Sequence, residues 1–159
     1  MFKATSYPTE KAELYNLLPV QLKAMCEGIP YQTANFANAT ALLAEALEDI
    51  NWVGFYFIQD KKLILGPFQG KIACVEIELG SGVCGTAAAT DQIQLVPDVH
   101  AFPGHIACDS ASNAEIVLPL HKNGEVCGVL DIDSPTLGRF TEEDKLGLAK
   151  LIPVLEQLL

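Results

Sequence analysis

Three of the five cysteines lie in polar or glycine-rich contexts: Cys74 in "KIACV", Cys84 in "GVCGT" and Cys108 in "HIACD". Free cysteine is among the most buried residue types. A loop cysteine beside Asp109 and near His105 therefore has little packing reason to be where Cys108 is. Cys26 ends an amphipathic helix and Cys127 lies inside an apolar strand, so both read as structural.

Three chemistries fit such a set. Zinc is one, with His100, His105 and Cys108 as ligands. Against it, nothing here has C-x2-C spacing, and His-x4-His in a Pro-Gly loop does not share a helical face. A cysteine hydrolase is the second, with His105 or His100 as base, oriented by a third group. Thiol redox catalysis is the third: one thiol attacks, a sulfenic acid forms, and a second cysteine resolves it as a disulfide.

The carboxylates favour the third. In "VCGVLDIDS" period-two alternation puts Asp131 and Asp133 on one face of a strand. The alternative is a solvated strand end, with Asp133 and Ser134 opening a turn. Trp52 shares a face with Gly54 and Tyr56 in "NWVGFYF", which reads either as core packing or as one wall of a pocket.

The elements that must position these residues follow from pattern. Residues 9–27 and 34–50 read as helices, with Phe36, Ala39, Leu43, Leu47 and Ile50 at helical spacing. Pro19 should break or kink the first, or open a new turn of it. "NWVGFYFIQDKKLILGPF" reads as two strands reversing at "QDKK", and "KIACVEIEL" as a further strand. "SGVCGTAAATD" opens a short Ala-rich helix. "EIVLPLHKNGEVCGVLDID" reads as a hairpin about Asn123-Gly124, a pair that tolerates the positive φ angles of a type I′ turn. Thr141 and Asp144 form a capping-box start to a helix over 141–159, bent by Pro153. The loop over roughly 97–114 is long enough to suggest function. The order implies an α+β sandwich, with helices on one face of an antiparallel sheet.

Composition bounds the rest. The chain has 159 residues, half of them hydrophobic, and the size suits one domain. A net charge of −10 argues against binding a phosphate backbone or an anionic membrane. No stretch approaches the ~20 apolar residues of a membrane span, and the start lacks a secretory h-region. Five cysteines, an odd number, fit a cytoplasmic thiol protein better than a disulfide framework.

The segments "INWVGFYF", "LGPFQGKIAC", "GVCGTA", "DVHAFPGHIACDSASNAEIVLPL" and "GVLDIDS…GRFTEED" resemble the free methionine-(R)-sulfoxide reductases, single GAF-domain enzymes. The resemblance runs from about residue 30 to the C-terminus. Its specificity lies in Cys74-x9-Cys84-x23-Cys108 followed by Glu115 and Asp131-x-Asp133. It implies a GAF-like fold over 1–159, with a central antiparallel sheet, helices on one face and a pocket under long loops on the other. It further implies that Cys108 is the nucleophile, Cys74 its resolving partner through a disulfide, and Cys84 an auxiliary thiol. Glu115, Asp131 and Asp133 correspond to the pocket carboxylates, and Trp52 to the aromatic wall; Tyr56, on the same face as Trp52, joins the substrate site.

The substrate would be free methionine sulfoxide. No metal or bound cofactor is implied; thioredoxin would supply electrons, and a homodimer is what the family suggests. Attack on a sulfoxide sulfur needs an acid for the departing oxygen, and gathered, desolvated carboxylates raise one another's pKa so that one stays protonated. The same cluster opposes thiolate formation at Cys108, which leaves backbone amides or His105 to compensate. The rival reading is a GAF module that senses a small ligand or redox state without turnover.

Overall fold

The computed structural model describes residues 6–106 and 108–159; the N-terminal five residues, read above for a leader, lie outside them. Helix α1 spans Lys11–Cys26 and α2 spans Gln32–Ala46. Strands follow at β1 Trp52–Gln59, β2 Lys62–Gln69 and β3 Glu76–Glu78, then α3 Gly82–Thr90 and β4 Gln94–Val96. After the long loop come β5 Ala114–Lys122, β6 Glu125–Ser134, α4 Glu142–Ala149 and α5 Ile152–Glu156.

The strands form one antiparallel sheet in the order β3-β2-β1-β6-β5-β4. Both tight reversals use positive φ. Asn123 and Gly124 sit at 53° and 78°, the expected type I′ signature, while Asp60 and Lys61 adopt 51° and 64° without a glycine.

Alternation along the strands divides two apolar layers. Val53, Phe55, Ile116, Leu118, Leu130 and Ile132 point towards α1, α2, α4 and α5. Phe36 of α2 meets Phe55 and Phe57 edge-on, with ring centroids 4.7 and 5.0 Å away. On the other face Trp52, Tyr56, Val117 and Val129 pack with Val83 and Ala87 of α3. Four helices thus cover one face, as expected, and the short α3 joins the loops on the other.

The α1 helix is uninterrupted through Pro19, so the proline does not break it. Leu14, Leu18, Leu22 and Cys26, four residues apart, are all buried; this stripe outweighs the hydrogen bond that proline cannot donate. In α2 the stripe holds for Phe36, Ala39 and Leu43, but the helix stops at Ala46 and Leu47 is already extended. The C-terminal segment is two helices rather than one bent helix. Pro153 cannot donate to the Ala149 carbonyl, and the chain turns at Lys150–Leu151 through bonds of 3.2 and 3.0 Å to Gly147 and Leu148. "KIACVEIEL" is a strand only at Glu76–Glu78; the preceding residues are irregular.

Asp144 joins α1 to α4. Its side chain is fully buried and accepts from Lys11 Nζ at 2.8 Å, Tyr15 Oη at 2.6 Å and Arg139 at 3.2 Å. It also accepts from the Thr141 N–H at 2.8 Å, which realises the expected capping contact. Gly147, one turn on, lies flat against the Tyr15 ring.

Candidate active site

Register, more than any single residue, builds the site. Trp52 on β1, Asp133 on β6 and Glu115 on β5 are cross-strand partners in one row, and Gly54, Asp131 and Val117 form the next. Opposed residues in an antiparallel pair share a face. Three strands therefore deliver three carboxyl groups and an indole to one patch. Asp131 is 6% exposed and Ser134 is fully buried, so the strand end is not solvated, although Ser134 Oγ does open a turn by accepting from the Thr136 N–H at 3.0 Å.

Gathering these acids out of water has an electrostatic consequence. Burial first, then the charges of Asp131 and Asp133, push Glu115 well above the usual carboxylate range. Burial likewise raises Asp131, and burial with the Asp131 charge raises Asp133. The cluster retains a proton where exposed carboxyls would have lost theirs. Asp131 Oδ1 is buried with no hydrogen-bond partner, aimed into the same space.

Cys84 is carried there by α3. Gly82, at φ +62°, turns the chain into the helix, and Gly85 lets it seat against the Glu78 carbonyl. The Cys84 thiol is 4% exposed and donates to Glu115 Oε1 across 3.8 Å. Burial, followed by the three carboxylates, pushes it well above the ordinary thiol value. A shift in that direction favours the protonated thiol, which can donate a hydrogen bond.

Cys74 and Cys108 form a disulfide, with Cα atoms 5.7 Å apart and a separation of 34 positions in sequence. Cys74 lies in the irregular stretch before β3, where Tyr56 Oη donates to its carbonyl at 3.0 Å. Cys108 ends a loop pinned on its far side: Asn51 Nδ2 donates to Asp109 Oδ2 and to Ser112 Oγ, both at 3.1 Å. The Ala111 N–H donates to Asp109 Oδ1 at 2.9 Å, and with the Asn51 bond it lowers the Asp109 pKa. His105 Nε2 lies 3.8 Å from Glu115 Oε2. Burial, aided by nearby His100, lowers its pKa, which favours the neutral imidazole.

Between these groups is a chamber of about 40 Å³, lined by Trp52, Tyr56, Cys84, Cys108, Glu115 and Asp131 among others. That space takes little more than a water or two. The Trp52 ring is fixed by stacking on Phe68, 5.3 Å between centroids and 16° between planes, and by its N–H donating to the Lys71 carbonyl at 3.2 Å. Gly54 permits this placement, since any Cβ there would strike the indole and Phe68.

Of the site residues expected from sequence, all but Cys74 line this chamber, and Cys74 is bonded to Cys108, which does. The histidine–cysteine zinc trio does not assemble: Cys108 is disulfide-bonded, and His100 Nε2 pairs with Asn113 Oδ1 at 2.9 Å. The group among the described residues that could meet one ion is Cys84, Glu115 and Asp131, with ligand atoms within 4.8 Å of one another. Asn51, Asp109 and Ser112 were missed as organisers of the loop; the signal available was an asparagine set directly before the aromatic strand. Cys26 is buried in the helix-side core, and the half-buried Cys127 donates to the Leu120 carbonyl at 3.5 Å.

Among the described residues no helix is long and apolar enough to cross a membrane. The GAF domain family matches residues 36–151. A free methionine-R-sulfoxide reductase of Escherichia coli is 56% identical over 94% of this chain and 90% of its own length. One from Saccharomyces cerevisiae is 43% identical over 92% and 86%. The crystal structure of free methionine-R-sulfoxide reductase from Neisseria meningitidis in complex with its substrate superposes with a TM-score of 0.94 at 42% identity, covering 99% of this chain and 95% of that one.

Proposed function

The chain belongs to the free methionine-R-sulfoxide reductase family, and from that membership we infer that it reduces free L-methionine-(R)-S-oxide to L-methionine with its own thiols. The observation that carries the reading is the Cys74–Cys108 disulfide at the edge of a chamber walled by acids and an indole. That bond is what the chemistry leaves behind after one turnover.

In the forward direction the Cys108 thiolate attacks the sulfoxide sulfur while a protonated carboxyl of the cluster delivers its proton to the oxygen. The S–O bond breaks, methionine leaves, and Cys108 holds the oxygen as a sulfenic acid. Cys74 then attacks Cys108 Sγ, water departs, and the disulfide closes. Glu115 is our choice for the proton donor, because it is buried, raised, and touched by both Cys84 and His105. Asp131 and Asp133 would hold the substrate ammonium. Trp52, beside Tyr56, offers its face to the methyl group on a sulfur becoming cationic, a contact worth ~1–2 kcal/mol when desolvated. The chamber in its disulfide state is too small for an amino acid, which suits a product-side form.

We propose that residues 1–159 act as one GAF-like unit, as a homodimer in the cytoplasm, with a thioredoxin-type dithiol as electron source; family membership supports these points. The test of the reaction is consumption of methionine sulfoxide resolved by epimer, with a small dithiol as reductant. The expected result is loss of the R epimer only, abolished by Cys108→Ser. Equal turnover of sulfoxide-containing polypeptides would overturn the assignment, since a pocket that holds both ends of an amino acid leaves no path for a flanking peptide.

A further inference from the structure

The surface around the disulfide is apolar in a way that its own chemistry does not require. Ile72 is 91% exposed and Val75 65%, on either side of Cys74, and Ile106, 39% exposed, precedes Cys108 by two residues. Ile72 and Ile106 border the chamber entrance. Clustered exposed apolar side chains mark interaction sites. Here the cluster surrounds a bond that must be reduced from outside before the protein can act again.

The two sulfurs are not equivalent. Cys108 lines the chamber and Cys74 does not. A thiolate displaces a disulfide sulfur in line with the S–S bond, from the side away from the leaving sulfur. Cys108 faces the acid-walled chamber, a space of about 40 Å³, whereas Cys74 lies outside it, between the exposed Ile72 and Val75.

We propose that Ile72, Val75 and Ile106 form the docking collar for a protein dithiol reductant, and that its thiolate attacks Cys74 rather than Cys108. The proposal rests on the reductase function above and names where its electrons enter. The partner's thiolate bonds to Cys74 Sγ as the Cys74–Cys108 bond breaks, and Cys108 leaves as a thiolate into the chamber. The partner's second thiol then displaces Cys74 and leaves as part of the partner's own disulfide. The partner loses two electrons, and this chain gains two electrons and, on protonation, two thiols. The nucleophile for the next substrate is therefore regenerated in the first half of the exchange.

Two measurements test this. Thioredoxin with its second cysteine changed to serine is mixed with the oxidised chain, and the trapped adduct is mapped by peptide mass spectrometry. A bond to Cys74 is expected, forming more slowly with Ile72→Asp; a bond to Cys108 overturns the proposal. In steady state, Val75→Asp should raise the KM for thioredoxin about tenfold and leave turnover with dithiothreitol unchanged. Val20→Asp, on the exposed side of α1, should change neither. An unaltered thioredoxin KM in Val75→Asp, or a change in its sedimentation state showing that the patch joins two copies, also overturns it. Trapping requires only the disulfide, so it reads the collar even if the chain fails to reduce methionine sulfoxide with dithiothreitol, a failure that would refute the function instead.

Discussion

Replacing Glu115 with glutamine should make the protein more stable and nearly inactive. Carboxylate oxygens of Glu115 and Asp131 lie within 4.8 Å. With both ionised at an effective dielectric constant of 20, their repulsion is about 3.5 kcal/mol. The native chain avoids most of this by keeping a proton, so it binds that proton more tightly folded than unfolded. A carboxyl raised in the folded state favours folding below its unfolded pKa, and the advantage is lost as pH rises towards the folded value. Glutamine keeps the shape and removes the penalty. We expect a gain of about 1–2 kcal/mol near pH 8, hence a Tm higher by about 2–8 °C, shrinking towards zero near pH 4. Thermal unfolding of the disulfide form across that range measures it. Turnover should fall by about 10²–10⁴ as the proton donor goes. Parallel stability–pH curves for the two proteins would refute the electrostatic argument, and a variant of undiminished turnover would refute the acid role.

Burial alone would raise the Asp144 carboxyl, but hydrogen bonds from Lys11, Tyr15 and the Thr141 N–H, with Arg139 nearby, hold it at about 2. Its contribution is present above the ordinary aspartate pKa and lost as pH falls through the folded value. Asp144→Asn should therefore cost about 3–5 kcal/mol at pH 7, with the gap to wild type narrowing near pH 2 in urea titrations. Gly147→Ala should destabilise by about 1–3 kcal/mol, although alanine in a helix normally gains ~1 kcal/mol over glycine, because the new Cβ meets the Tyr15 ring. A more stable Ala variant in thermal unfolding would show that Tyr15 moves aside freely.

The parts of the site that were legible in sequence are those governed by short periods. Alternation in "VLDIDS" set Asp131 and Asp133 on one face, and Asn123-Gly124 marked the β5–β6 turn, but the bulge at Leu120/His121 that shifts Glu115 from Ile132 to Asp133 left no such mark. What stayed hidden depends on packing between distant segments. "GVCGT" read as a polar, glycine-rich setting, yet its glycines exist for close backbone approach, and Cys84 ends up among the most enclosed thiols. Pro19 and Pro153 carry the same local penalty with opposite outcomes. A buried stripe spans the first, and only a short, partly exposed turn surrounds the second. The irregular run before β3 was also unreadable as such, because its shape follows from Cys74 meeting a residue 34 positions away.

Asn51 has a bearing on the catalytic cycle that its modest chemistry conceals. Its bonds to Asp109 and Ser112 contain no sulfur, so they are indifferent to whether electrons have arrived. Cutting the covalent tie to Cys74 leaves the residue next to the nucleophile still moored to the start of β1. The reactive sulfur thus begins each round from a fixed pivot one residue away rather than from a loose end.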